Sequence, residues 1–329
     1  MGLLGRALQM NQDKRIANLT PWKTFDETDF LAFVEPIAGR KDPLSETPFL
    51  FAELGDHFSL PPSLFLVPSY SGGILTPIAF HGLNRKEACF FRMAITEDLQ
   101  EPLSSGQPFH IQDALLQQNL NFSHFSNPAA PAPSLAFPLS KKGFKNGLIL
   151  FFGLTEDTKD NPLFLRDCKR IENYLCDRLT KLRESHDSEN PVMVDKSTLD
   201  AWCTSRIQKI KHIQKTPYVF FLNLQGLMLF FGELGLFLDP VLVYNRVLAW
   251  LKNMIGEWGD FVIYDKEKLI FLLPGSAKIE PKIMIDQILK SFHKNFSMVS
   301  EMFSPDIQHL QFTQEGPLQS VNWDPLQSR

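Results

Sequence analysis

Apolar residues recur along this chain in two rhythms. Between Phe164 and Leu182 they fall at steps of three and four: Phe164, Cys168, Ile171, Leu175, Leu179 and Leu182. That spacing lines one face of a helix. Asn161-Pro162 starts it, Asn suiting the cap and Pro the first helical position. A helix is predicted over 162–183. A second stripe, Leu199, Trp202, Cys203, Ile207, Ile210 and Ile213, predicts a helix over 197–213 with Ser197 and Asp200 as a capping-box-like pair. Two shorter helices are expected earlier. One lies in "FDETDFLAFVEPI", ended by Pro36; the other lies in "SETPFLFAELGDHF", with Ser45 capping its first turn.

The other rhythm is the short apolar run. "SLFLVPSY" and "ILTPIAFHGL" flank Ser71-Gly72-Gly73 and predict a hairpin. "EACFFRMAI" is expected as a third strand, and "QPFHIQD" as a short strand ending at Asp113. "SLAFPLSKKGFKNGLILFFG" reads as strand, polar turn and strand, with the Pro/Ala-rich loop "NFSHFSNPAAPAPS" before it. After Pro217 the pattern is strand 218–224, helix 226–236, helix 239–255, strands 260–264 and 268–273, and helix 279–295. The charged stretch "ESHDSENP" at 184–191 is the clearest boundary. The fold class expected is α/β (α+β), with two domains. Each is a central, mostly antiparallel sheet flanked by helices, and a helical linker joins them. The division is an extension 1–44, a domain 45–183, a linker and connecting helix 184–213, a domain 214–303 and a polar tail 304–329.

Composition narrows the function. A length of 329 residues fits two domains, and 29 Phe residues can fill large cores. Net charge −4 and a pI near 6.1 argue against a nucleic-acid surface. Cys89, Cys168, Cys176 and Cys203 form no Cys-x-x-Cys pair and read as reduced thiols of a cytoplasmic protein. The start "MGLLGRALQMNQDKR" is too weakly apolar for a signal peptide, and Arg6 breaks the myristoylation pattern. The most apolar stretch, 218–243, is interrupted by Asn223, Gln225, Glu233, Asp239 and Pro240, so no membrane span is expected. His57, His81 and His124 lack metal-ligand spacing, and no phosphate-loop pattern occurs, so neither a metal nor a cofactor is expected.

Two resemblances follow from local phrases. "SGQPFHIQD" (105–113), "LAFPL" (135–139) and "KKGFKNGLILFFG" (141–153) make the block 45–183 resemble a GAF sensory domain. That resemblance implies a ligand pocket, with His110, Asp113 and Phe137 as the candidate lining. The block 197–300 resembles a GGDEF domain, the diguanylate cyclase fold. "YVFFLNLQGLMLFFGELG" (218–235) looks like its first strand and helix, and "YDKEKLIFLLPGS" (264–276) like its signature hairpin. The resemblance puts the metal-binding Asp at Asn223, a neighbouring Asp at Gln225 and the substrate Asn at Phe231, followed by Gly232. The Gly-Gly-Asp-Glu-Phe pentad falls on Asp265, Lys266, Glu267, Lys268 and Leu269. The inhibitory Arg-x-x-Asp motif has no Arg near "GEWGD".

These replacements matter chemically. Joining two nucleoside triphosphates needs metal ions that neutralise phosphate charge, and Mg²⁺ prefers carboxylate oxygen. Asn223 offers a neutral carbonyl. Asp265 and Lys266 crowd the place where two glycines would let phosphate approach the backbone. Phe231 cannot hydrogen-bond a guanine edge. The expectation is therefore a catalytically inactive signalling protein that binds a protein partner. A receptor for a small molecule or cyclic nucleotide, acting through the GAF-like pocket, is the alternative. An active diguanylate cyclase is the third and poorest reading. The stripes on helices 162–183 and 197–213 have two readings: each packs on its own domain, or two copies pair them in a homodimer.

Overall fold

The computed structural model describes residues 22–69, 72–111, 133–139, 147–184, 196–227, 237–256, 261–265, 268–275, 280–297 and 305–310. Asp113, Phe231, Gly232, Lys266 and Glu267 lie outside these residues, as do the 184–191 boundary beyond Glu184 and most of the helix expected over 226–236. The chain divides into two compact units, Met1–His186 with Phe231–Val243, and Asp187–Phe230 with Tyr244–Arg329.

In the first unit the order is α1 (Glu27–Val34), α2 (Pro43–Phe58), β1 (Ser63–Pro68), β2 (Ile74–His81), α3 (Arg85–Phe90), β3 (Met93–Ala94), α4 (Glu97–Ser105) and β4 (Phe109–His110). It continues with β5 (Pro133–Pro138), β6 (Leu148–Phe152), α5 (Glu156–Lys159) and α6 (Pro162–Glu184). The strands make one antiparallel sheet in the order β3-β2-β1-β6-β5-β4. Strand side chains alternate between faces. Phe65 and Phe151 therefore share one face, where they meet Phe51 of α2 and Phe164 of α6 at ring separations of 5.9 and 5.4 Å. Leu64, Leu66, Leu148, Leu150 and Phe152 share the other, packed with Leu99 and Leu103 of α4 and with Phe91 and Met93.

Two helix starts differ from the sequence pattern. α2 begins at Pro43, because Asp42 accepts Leu44 N–H and Pro occupies the first turn; Ser45 does not cap it. The third strand expected from "EACFFRMAI" begins instead as helix: Asn84 Oδ1 accepts Lys86 N–H at 2.9 Å and caps α3, leaving only Met93–Ala94 as strand. The helix over 162–183 forms as α6, and all six residues of its stripe are buried.

The second unit contains α7 (Lys196–His212), β7 (Thr216–Asn223), α8 from Tyr244 onward (the whole helix is Pro240–Ile255), β8 (Phe261–Asp265), β9 (Lys268–Gly275), α9 (Pro281–Asn295) and β10 (Asp306–Leu310). Its sheet runs β10-β7-β9-β8, every neighbouring pair antiparallel. In chain order that is fourth, first, third, second, with helices between the first and second and between the third and fourth strands. This is the split βαβ arrangement. The strand β10 comes from the part of the sequence read as a polar tail; its alternation places Ile307 opposite Leu222 and His309 opposite Phe220.

One face of this sheet packs on α7, where Leu199, Cys203, Ile207 and Ile210 meet Val219, Phe221, Val262, Ile270 and Leu272. Ile213, the last residue of the predicted stripe, lies past the helix end and is 41% exposed. Among the aromatic contacts of the unit, Phe220 stacks on Phe271 at 5.3 Å, and Trp250 of α8 meets Phe292 of α9 at 5.5 Å. The stripe of α6 is buried, and Leu199, Cys203, Ile207 and Ile210 of α7 pack on their own sheet. Among the described residues no helix is long and apolar enough to cross a membrane. Cys168, Cys176 and Cys203 are buried and unbridged, and Cys89 is half-buried. Burial and the neighbouring Asp167 push the Cys168 thiol well above its ordinary range, so it is held as an unreactive thiol.

Candidate functional site

The polar end of the second sheet carries the positions that the GGDEF resemblance singled out. The register joins its positions in one row across four strands. Asn223 closes β7 and stands opposite Lys268, which opens β9. Lys268 stands opposite Asp265 at the end of β8. On the other side Asn223 stands opposite Asp306, which opens β10. Directly opposed residues of an antiparallel pair are near neighbours. The row therefore reads acid, amide, cation, acid: Asp306, Asn223, Lys268, Asp265.

Each neighbour in this row acts against a metal site. Asn223 is half-buried, and its Oδ1 accepts the N–H of Gln225 at 2.9 Å. The one oxygen it could turn to an ion already caps the helical turn that follows β7. Lys268 brings a positive charge into the middle of the row. Asp306 and Asp265 lie three strand spacings apart, about 14 Å between backbones, whereas paired catalytic metals lie only about 3.5–4 Å apart. Asp306 Oδ2 accepts Gln308 Nε2 at 3.0 Å. Phe231, Lys266 and Glu267 belong to the same candidate set and lie outside the described residues.

Phe137 and His110 lie on the α6 face of the first sheet, not in the cluster packed against α4. Phe137 is 2% exposed on β5, and the Lys169 ammonium of α6 lies 5.9 Å from its ring. His110 pairs with Leu135 across β4 and β5, so it shares the α6 side of the sheet with Phe137. Its Nε2 lies 3.1 Å from Asp160 Oδ1 just before α6. The neighbour that joins the apolar cluster is Phe109, not His110. Asp113 lies outside the described residues.

Sequence reading missed the charged groups that organise the first unit. Asp167 of α6 is fully buried. It accepts Phe25 N–H at 3.4 Å and Arg166 Nη2 at 2.8 Å. Glu172, also fully buried, pairs with Lys169 at 2.8 Å. Glu46 of α2 is 1% exposed and bonds Arg178. The carboxylate raises the Arg178 pKa through their hydrogen bond. Asp239 is 4% exposed and takes both Nε and Nη2 of Arg183 at 2.7 Å each. Partners 132 and 56 residues apart leave no local pattern to read. Asp306 was missed as well, because β10 lies in the part of the sequence read as a polar tail.

No protein-family model matches the chain, and no curated protein matches it in sequence. Solved structures similar to it include two of PelD 158-CT from Pseudomonas aeruginosa PAO1. The one in complex with c-di-GMP has a TM-score of 0.28 and 13% identity, covering 85% of this chain and 87% of that one. The other has a TM-score of 0.25 and 14% identity, covering 92% of this chain and 89% of that one.

Proposed function

We propose that this chain is a catalytically inactive regulatory protein, a GAF-like unit joined to a degenerate GGDEF-like unit, which works by binding a protein partner. One observation carries the reading. The strand and hairpin that would present a cyclase's metal ligands are in register, with Asn223 beside Lys268 and Lys268 beside Asp265. An amide and an ammonium stand in that row, and phosphoryl chemistry requires metal-binding carboxylates there. An apolar core explains why the scaffold outlasts such a change: Val219, Phe221, Ile270 and Leu272 are buried away from the row and keep the sheet together.

The test is incubation of the full chain with GTP and either Mg²⁺ or Mn²⁺, followed by chromatography for cyclic dinucleotide. No product is expected. Turnover at ordinary enzyme rates, about 1 s⁻¹ or more, would overturn the reading. A thermal-shift series with GTP, cyclic mononucleotides and c-di-GMP separates the partner role from a receptor role. A ligand that binds only the folded state raises the melting temperature as its concentration rises, and a flat series is expected for a chain that answers to a protein.

A further inference from the structure

The chain enters the first unit twice. Residues up to His186 form most of it, Phe231–Val243 returns to it, and Tyr244 onward belongs to the second unit. Two contacts hold the described part of the returning segment. Phe237 is 5% exposed and joins the apolar cluster of the first sheet, with its ring 4.6 Å from that of Phe80 and the Arg85 guanidinium 6.0 Å from its centre. Its backbone sits in the left-handed region, at φ +53. A bulky residue rests there only when its surroundings fix it. Two residues on, Asp239 receives the fork of Arg183 from the last turn of α6.

Asp239 has a second task. Its Oδ2 accepts Leu242 N–H at 3.2 Å and its main-chain oxygen accepts Val243 N–H at 3.0 Å, so it caps α8. One carboxylate both starts α8 and ties that start to α6. Helix ends depend on such caps, and a cap held by a bidentate guanidinium has a fixed orientation.

We propose that Phe237–Val243 is a releasable strap: docked by Phe237 and the Arg183–Asp239 pair, it fixes the first turn of α8, and undocked it lets that turn fray. Anything that binds the first unit near Phe80, Arg85 or Arg183 is then read out as a change at the start of α8. The rest of that helix, Tyr244–Ile255, belongs to the second unit. The inference does not depend on what either unit binds, nor on the absence of cyclase activity.

Hydrogen exchange on the full chain tests it with two variants. Arg183→Gln removes the tie and leaves Asp239 to cap α8. Phe237→Ala removes the ring and leaves the tie. In both, amides of residues 238–247 are expected to exchange at least about tenfold faster, while β1, β6 and β9 keep wild-type rates. Wild-type rates at 238–247 in either variant overturn the proposal. So does a loss of protection that spreads equally to β1 and β6, because the segment would then be ordinary core. Arg183→Lys keeps the charge without the fork and is expected to fall between the wild type and Arg183→Gln.

Discussion

The two units hold themselves together differently. Every buried polar or charged side chain among the described residues belongs to the first unit, including the carboxylates Glu46, Asp167, Glu172 and Asp239. Each of those four meets an Arg or Lys of α6. The buried side chains described in the second unit are apolar, built from residues such as Phe220, Phe221, Phe271 and Phe292. Buried ion pairs are directional and costly to break, though they stabilise little against a well-packed apolar replacement. Arg178–Glu46 and Arg183–Asp239 tie α6 to other segments of the unit, while Arg166–Asp167 and Lys169–Glu172 pair within the helix. An apolar core asks only for volume and shape. The second unit could therefore exchange the polar residues at one end of its sheet and keep the sheet.

The sharpest way to break this contrast is Arg178→Ala. It leaves the Glu46 carboxylate, 1% exposed, without its guanidinium. A loss of about 3–5 kcal/mol in urea unfolding of the full chain is expected. The double variant Arg178→Met with Glu46→Leu should recover most of it, because the pair is then replaced rather than broken. If Arg178→Ala costs under about 1 kcal/mol, the pair behaves as a surface bridge and the contrast between the units fails.

A smaller effect tests what the units share. Each has a glycine over which a ring lies. A Cβ on Gly55 of α2 would collide with the His81 ring, and one on Gly275 of β9 would collide with the Tyr218 ring. Gly55→Ala and Gly275→Ala are each expected to cost about 1–3 kcal/mol by overpacking, read as a drop in denaturation midpoint. A neutral Gly275→Ala would mean that the second unit accommodates volume more freely than its buried rings imply.

The sequence foretold the second unit better than the first, for the same physical reason. Apolar periodicity reports apolar cores, so β7, α8, β8, β9 and α9 follow the pattern closely. The pairing of β7 with β9 sets Asn223 opposite Lys268. α3 escaped because "EACFF" is as apolar as a strand, and only the Asn84 cap decides for helix. β10 escaped because His309 and Gln308 look polar until Ile307 is set against Leu222. The ion pairs of α6 could not be read, since an arginine has no pattern that names a glutamate 132 residues away.

Acid should weaken both units. Burial lowers the His81 pKa below 6.5, against the raising effects of Asp56 and of the Leu60 carbonyl to which Nε2 bonds. The folded state therefore favours neutral His81, and the unfolded chain takes up its proton first. That stability is fully present above pH 6.5 and is lost as pH falls through the lowered folded value. His309 is lowered in the same direction by burial in the second unit. Melting curves between pH 8 and 5 should show a shallower acid decline in both His81→Gln and His309→Gln. An unchanged decline in His81→Gln would remove this residue from the account of the first unit.

The mildest change probes the row itself. Asn223→Asp keeps an oxygen to cap Gln225 N–H and sets a carboxylate directly opposite Asp306. Like charges opposed across a strand pair are destabilising by about 0.2–1 kcal/mol, and salt should reduce the cost because Asp306 is exposed. Lys268 on the other side of position 223 offsets part of it. The decisive comparison is the melting temperature with and without Mg²⁺ in low salt. If the new carboxylate only adds repulsion, the two curves coincide once ionic strength is matched. If Mg²⁺ restores stability well beyond matched monovalent salt, residue 223 and Asp306 are close enough to grip an ion together. A single amide would then separate the second unit from a metal-binding one.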